Sequence, residues 1–111
     1  MGKKVNIDGV PTLMLEAIND VSGFTLVDVR RDDEFTGELG HIQGATLKTL
    51  GPELMKYLNT EDKRKPILFI CRSGARSANA TMMAMDMGFE TVFNMQGGMI
   101  QWNQLGFSVQ R

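Results

Sequence analysis

Residues 67–70, ILFI, are apolar at every position and follow Pro66. A short run with no polar face predicts a strand covered on both sides. Residues 24–30, FTLVDVR, are rich in β-forming side chains and predict a second buried strand, and ETVFN at 90–94 a third. The segments between them change period. GPELMKYLN places Pro52 where a helix begins, and SANATMMAMDM is a helical stretch ended by Gly88. GGMIQWNQLG predicts a last helix ending near Gly106, and RDDEF a short helical turn. PTLMLEAIND, with Pro11 and Thr12 as starters and Leu13, Leu15, Ala17 and Ile18 near helical spacing, predicts a helix at 11–20. Strand and helix alternate, which implies an α/β domain with a mainly parallel sheet. Ligands of such sheets sit at the carboxyl ends of the strands, and Cys71 stands directly after the most apolar one.

Composition narrows the class. A chain of 111 residues suggests one domain over 1–111, large enough for a core without disulfide or metal staples. Twelve basic residues against 13 acidic ones give a net charge of −1, which argues against a nucleic-acid or membrane-surface partner. The one basic cluster, Lys63, Arg64 and Lys65, follows Glu61 and Asp62 and reads as a solvated approach to a strand. A single cysteine makes no internal disulfide, and with one histidine the usual zinc spacings are excluded, so no metal or cofactor is expected. No apolar run approaches the ~20 residues that span a bilayer, and the start of the chain lacks the apolar segment of a signal peptide; a cytoplasmic protein is expected. Met82, Met83, Met85 and Met87 crowd one helix, where i,i+3 and i,i+4 spacing predicts packing rather than a metal site.

The candidate chemistry lies in CRSGARS, residues 71–77. Free cysteines are often inert core residues. That reading suits a cysteine inside the strand better than one followed at once by Arg72, Ser73, Gly74, Ala75 and Arg76. A thiolate is favoured by amides at a helix N-terminus and by nearby cations. The helix after the loop offers the amides, and Arg72 and Arg76 offer the cations, which are also expected to attract and seat an anionic donor. Gly74 permits a tight turn in which successive N–H groups form an anion nest that extends to Ser77. Loop length separates two chemistries. Cysteine phosphatases use C-x5-R, whereas Arg76 makes this loop C-x4-R. One residue in a helical turn rotates a side chain by ~100°, so Arg76 is expected to miss the phosphatase position. A smaller loop suits a smaller guest, such as one extra sulfur on the cysteine.

With these motifs in order, LVDVRRDDEF at 26–35, GHIQGA at 40–45, CRSGARS at 71–77 and MQGGMIQWNQLGFSV at 95–109, the chain resembles a single-domain rhodanese over nearly its whole length. The resemblance implies a three-layer α/β/α fold with a five-stranded, mainly parallel sheet. It implies a sulfurtransferase that moves a sulfane sulfur from thiosulfate or a similar donor to cyanide or a thiol through a Cys71 persulfide. Small-molecule donors and acceptors, or a sulfur-relay protein, are the partners it implies. The alternatives are a cysteine-dependent phosphatase or arsenate reductase, and a non-catalytic binding module. The chain departs from the family pattern in three places. EFTGELGHI is two residues longer than the common form, which enlarges a surface loop near the site; Gln43 and Ser108 stand where prolines are usual.

Among supporting residues, Asp28 and Arg30 end the LVDVR strand. Asp28 could orient the loop, but a fold-stabilising network of Asp28, Arg30 and Glu34 is the preferred reading. His41 is expected to be a turn residue rather than the base for Cys71. Trp102 is expected in the core or at a pocket rim, and Gly97 and Gly98 at a strand–helix turn.

Overall fold

The computed structural model describes residues 2–111. Six strands form one sheet in the order β1-β2-β6-β5-β3-β4: β1 (Lys3–Ile7), β2 (Val10–Met14), β3 (Thr25–Asp28), β4 (Thr46–Leu47), β5 (Ile67–Ile70) and β6 (Val92–Met95). All neighbours pair in parallel except β1, which runs antiparallel to β2. Four helices accompany them: α1 (Asp32–Phe35), α2 (Pro52–Thr60), α3 (Ala75–Asp86) and α4 (Gly98–Gln104). The sheet therefore has six strands where five were expected.

The apolar run of β5 is covered on both faces, as its composition requires. Alternation sends Ile67, Phe69 and Cys71 into one core with Leu54 and Leu58 of α2 and Ala80 and Ala84 of α3. Leu68 and Ile70 enter the other core with Leu13, Met99 and Trp102. Two cores, one on each face of one sheet, make the three-layer α/β/α arrangement.

Two expectations are corrected. Residues 10–14 form strand β2, not a helix. Leu13 and Leu15 lie two apart and are both buried, while Met14 between them is half-exposed, which is strand period. Asp8 and Gly9 link β1 to β2, both with positive φ (52° and 85°), as a tight two-residue hairpin needs. Only the end of the presumed helix is helical, as a 3₁₀ turn at Ile18–Val21. The second correction concerns α3. Its buried face carries Ser77, Ala80, Thr81 and Ala84, whereas Met82 and Met85 are each 38% exposed. Small residues let this helix approach the sheet closely, and of the four methionines Met87 packs against the core from its edge. The helix also begins at Ala75, two residues earlier than its pattern suggested.

Lys63, Arg64 and Lys65 precede β5 as a solvated segment: Arg64 pairs with Asp62, Lys65 with Glu61, and Lys63 lies over the Phe89 ring. No helix among the described residues is long and apolar enough to cross a membrane.

Candidate active site

Cys71 leaves the carboxyl end of β5, and its side chain continues the inward alternation of that strand, so the residue is only 1% exposed. The next three residues turn sharply. Gly74, the N-cap of α3, has φ 112°, a conformation that side chains strain against. This turn brings the Gly74 N–H back to the Cys71 sulfur at 3.0 Å. The Ser77 hydroxyl, one turn into α3, reaches the same sulfur at 3.1 Å.

A second element holds the loop from outside. The N–H of Met99 donates to the Cys71 carbonyl (2.9 Å) and that of Ile100 to the Arg72 carbonyl (3.0 Å). In a trans peptide C=O and N–H point in opposite directions, so the amides of Arg72 and Ser73 turn away from α4. Neither amide meets a protein acceptor among the described residues. Gly98 makes this clamp possible. It has φ 57°, and a Cβ built on it would stand 2.5 Å from the carbonyl oxygens of both Cys71 and Arg72. The Gly97–Gly98 pair does form the expected strand–helix turn, and its reach to the cysteine loop is an additional finding.

The two arginines have different surroundings. Arg76 lays its fork on Glu34, Nη1 to Oε1 at 2.7 Å and Nη2 to Oε2 at 2.8 Å. Those hydrogen bonds hold the Glu34 carboxyl at about 2, well below its usual 4.5. Arg72 instead lines a cleft of about 250 Å³ with Arg30, Glu34, Gly37, Glu38 and Leu39. Gly37, Glu38 and Leu39 belong to the lengthened EFTGELGHI segment, so the longer loop does form a wall beside the site. On the other side of the cysteine loop, Ser73, Gly74 and Asn94 border a second cleft against the β1–β2 hairpin.

Asp28 and Arg30 form a fully buried pair (2.7 Å). Arg30 also donates to the carbonyls of Glu34 (3.2 Å) and Gly40 (2.8 Å), and the Arg30 carbonyl accepts from Thr49. The network links β3 to α1 and the 36–40 segment. It touches the cysteine loop only through Glu34, whose carboxylate meets Arg76. His41 donates from Nδ1 to the Phe35 carbonyl (2.8 Å) and stacks on the Phe35 ring at 3.7 Å, as a turn residue does. Trp102 is buried and donates to the Ser108 carbonyl.

The residue that sequence reasoning missed is Asn94. It lies on β6, 6% exposed, with its Nδ2 donating to the Gly74 carbonyl (3.1 Å) and its Oδ1 accepting from Ser77. A lone amide in the apolar run TVFNM was the available signal, because a buried polar side chain must find partners.

Comparison with known proteins adds the context. The profile of the rhodanese-like domain matches residues 11–105. YtwF of Bacillus subtilis, named as a candidate sulfurtransferase, is 42% identical over 77 residues, covering 69% of this chain and 71% of its own. The protein named thiosulfate sulfurtransferase GlpE of Shewanella oneidensis is 27% identical over 90 residues, covering 81% and 86%. Among solved structures, a rhodanese-like domain protein from Staphylococcus aureus superposes with a TM-score of 0.66 at 28% identity, covering 79% of this chain and 82% of its own.

Proposed function

The chain belongs to the rhodanese-like domain family, and from that premise we propose that it is a sulfurtransferase whose nucleophile is Cys71. The carrying observation is that the Gly74 N–H and the Ser77 hydroxyl both stand within hydrogen-bond reach of the Cys71 sulfur. They support a negatively charged sulfur at the positive end of α3.

The Cys71 thiolate attacks the outer sulfur of thiosulfate or of another sulfane donor. A new S–S bond forms, the old one breaks, and sulfite leaves with the electron pair. The terminal sulfur of the resulting persulfide carries the charge into the cradle of amides from Arg72 to Ser77. A second nucleophile, cyanide or a thiol, attacks that terminal sulfur, and the Cys71 thiolate is restored. A covalent intermediate of this kind gives ping-pong kinetics. Arg72, which lines the cleft, attracts the anionic donor. Arg76 is engaged by Glu34 and serves to fix the helix that carries Ser77. An acceptor thiol on a relay protein fits the same chemistry as a small thiol.

The phosphatase reading loses support from the same geometry. A phosphatase arginine grips two phosphate oxygens with its fork, and here both ends of the Arg76 fork are on a carboxylate.

The test is the intact mass of the protein after incubation with thiosulfate. A gain of one sulfur is expected in the wild type and none in Cys71→Ser. No gain with thiosulfate or any other sulfane donor overturns the proposal.

A further inference from the structure

Ser77 has one hydroxyl proton and two acceptors within reach: the Cys71 sulfur and the Asn94 Oδ1. The orientation of Asn94 follows from its other contact. The Gly74 carbonyl can only accept, so the amide end facing it is Nδ2, and Oδ1 faces Ser77. All three side chains are buried.

From this we propose that Asn94 is a positioning residue that competes with Cys71 for the single proton of Ser77. When Cys71 is a thiol, its S–H donates to the Ser77 oxygen and Ser77 donates to Asn94, so every group is satisfied. When Cys71 is a thiolate, Ser77 must turn its proton to the sulfur. Oδ1 of Asn94 then faces a hydroxyl oxygen with no proton between them, and a buried acceptor left unpaired is unfavourable. Asn94 therefore opposes a charge resting on the Cys71 sulfur itself.

The consequence for sulfur transfer rests on the sulfurtransferase reading above. In the persulfide the charge sits on the terminal sulfur, about 2 Å farther out. The Cys71 sulfur becomes neutral, and Ser77 returns its proton to Asn94. The pair thus favours the loaded enzyme over the empty thiolate. Atoms balance, since the proton only rotates about the Ser77 side chain and the sulfur and its electrons move as already described.

The test follows iodoacetamide alkylation of Cys71 as a function of pH in the wild type, Ser77→Ala, Asn94→Leu and the double variant. Ser77→Ala should move the midpoint of the profile up by roughly one pH unit, the worth of a hydrogen bond to a charged group less that of the Asn94 bond given up for it. Asn94→Leu should move it down in the wild type and by less in the Ser77→Ala background, because the Oδ1 acceptor acts only through Ser77, whereas the lost Nδ2 contact to Gly74 is common to both backgrounds. Where Asn94→Leu fails to fold, Asn94→Ala removes the same acceptor. A midpoint that rises or stays in place on losing Asn94, or that falls equally without Ser77, overturns the proposal. In the same variants, the fraction carrying an extra sulfur at fixed thiosulfate and sulfite should fall on losing Asn94. If the wild type takes up no sulfur while the alkylation profiles behave as stated, the sulfurtransferase reading fails and the proton competition stands.

Discussion

Glu34 shows how one residue changes meaning once its neighbours are known. In RDDEF it is one of three acids at the start of a short helix. In the fold it joins α1 to α3 across 42 positions of sequence through Arg76. Its carboxyl is held at about 2 against an ordinary 4.5, a difference that in a dry site corresponds to about 3 kcal/mol. Arg76 is 34% exposed, so solvent screening reduces that to roughly 1–2 kcal/mol. Because the folded value is lowered, this stabilisation is complete above pH 4.5 and is lost as pH falls toward 2. Glu34→Gln should accordingly be less stable than the wild type by about 1–2 kcal/mol at neutral pH. Urea unfolding at stepped pH should show that gap closing between 4.5 and 2. The place of Cys71 was legible because an apolar strand leads straight into the Arg-Ser-Gly-Ala-Arg turn that follows it. Asn94 was not, because its partners, Gly74 and Ser77, lie 20 and 17 residues away.

At the level of elements, local pattern was a good guide wherever one period dominated. PILFI, FTLVDVR and GPELMKYLN became β5, β3 and α2, with Pro52 at the first turn as expected. It misled at 11–20 because Leu15 and Ile18, three apart, fit a helix, while Leu13 and Leu15, two apart, fit a strand. The Asp8-Gly9 turn and pairing of β2 with β1 and β6 decided the matter. The α4 N-terminus offers a sharper test of how elements build the site. Gly88 and Gly98 both have positive φ (96° and 57°), but only Gly98 faces backbone, the carbonyls of Cys71 and Arg72. Gly88→Ala should lose about 1–2 kcal/mol of stability from backbone strain and keep its activity. Gly98→Ala should lose more stability and, by displacing the loop that bears the sulfur, at least roughly tenfold in the rate of persulfide formation. Thermal unfolding with single-turnover mass analysis separates the two effects. Equal behaviour of both variants would remove the clamp from the account of the site.

Across the whole molecule, β5 lies between β6 and β3 with both faces buried, while β1 and β4 are the edges. β1 exposes most of its side chains, including Lys3 and Lys4, which also blunts the edge against pairing with other chains. Hydrogen exchange should therefore be slowest in β5 and β3, near the global unfolding limit, and fastest in β1 and β4, which open locally. Uniform protection across all six strands would contradict this ordering. The sequence by itself determined the alternation of strands and helices, the place of Cys71 at a strand's carboxyl end, and the length of its loop, because these depend on neighbours a few residues apart. Tertiary structure alone decided that Arg76 would be held by Glu34, that Gly98 would bring α4 onto the Cys71 carbonyl, and that Ser77 would have a second acceptor in Asn94. Those choices depend on which strands become neighbours in the sheet, and no local spacing records which side chains then come within hydrogen-bond reach.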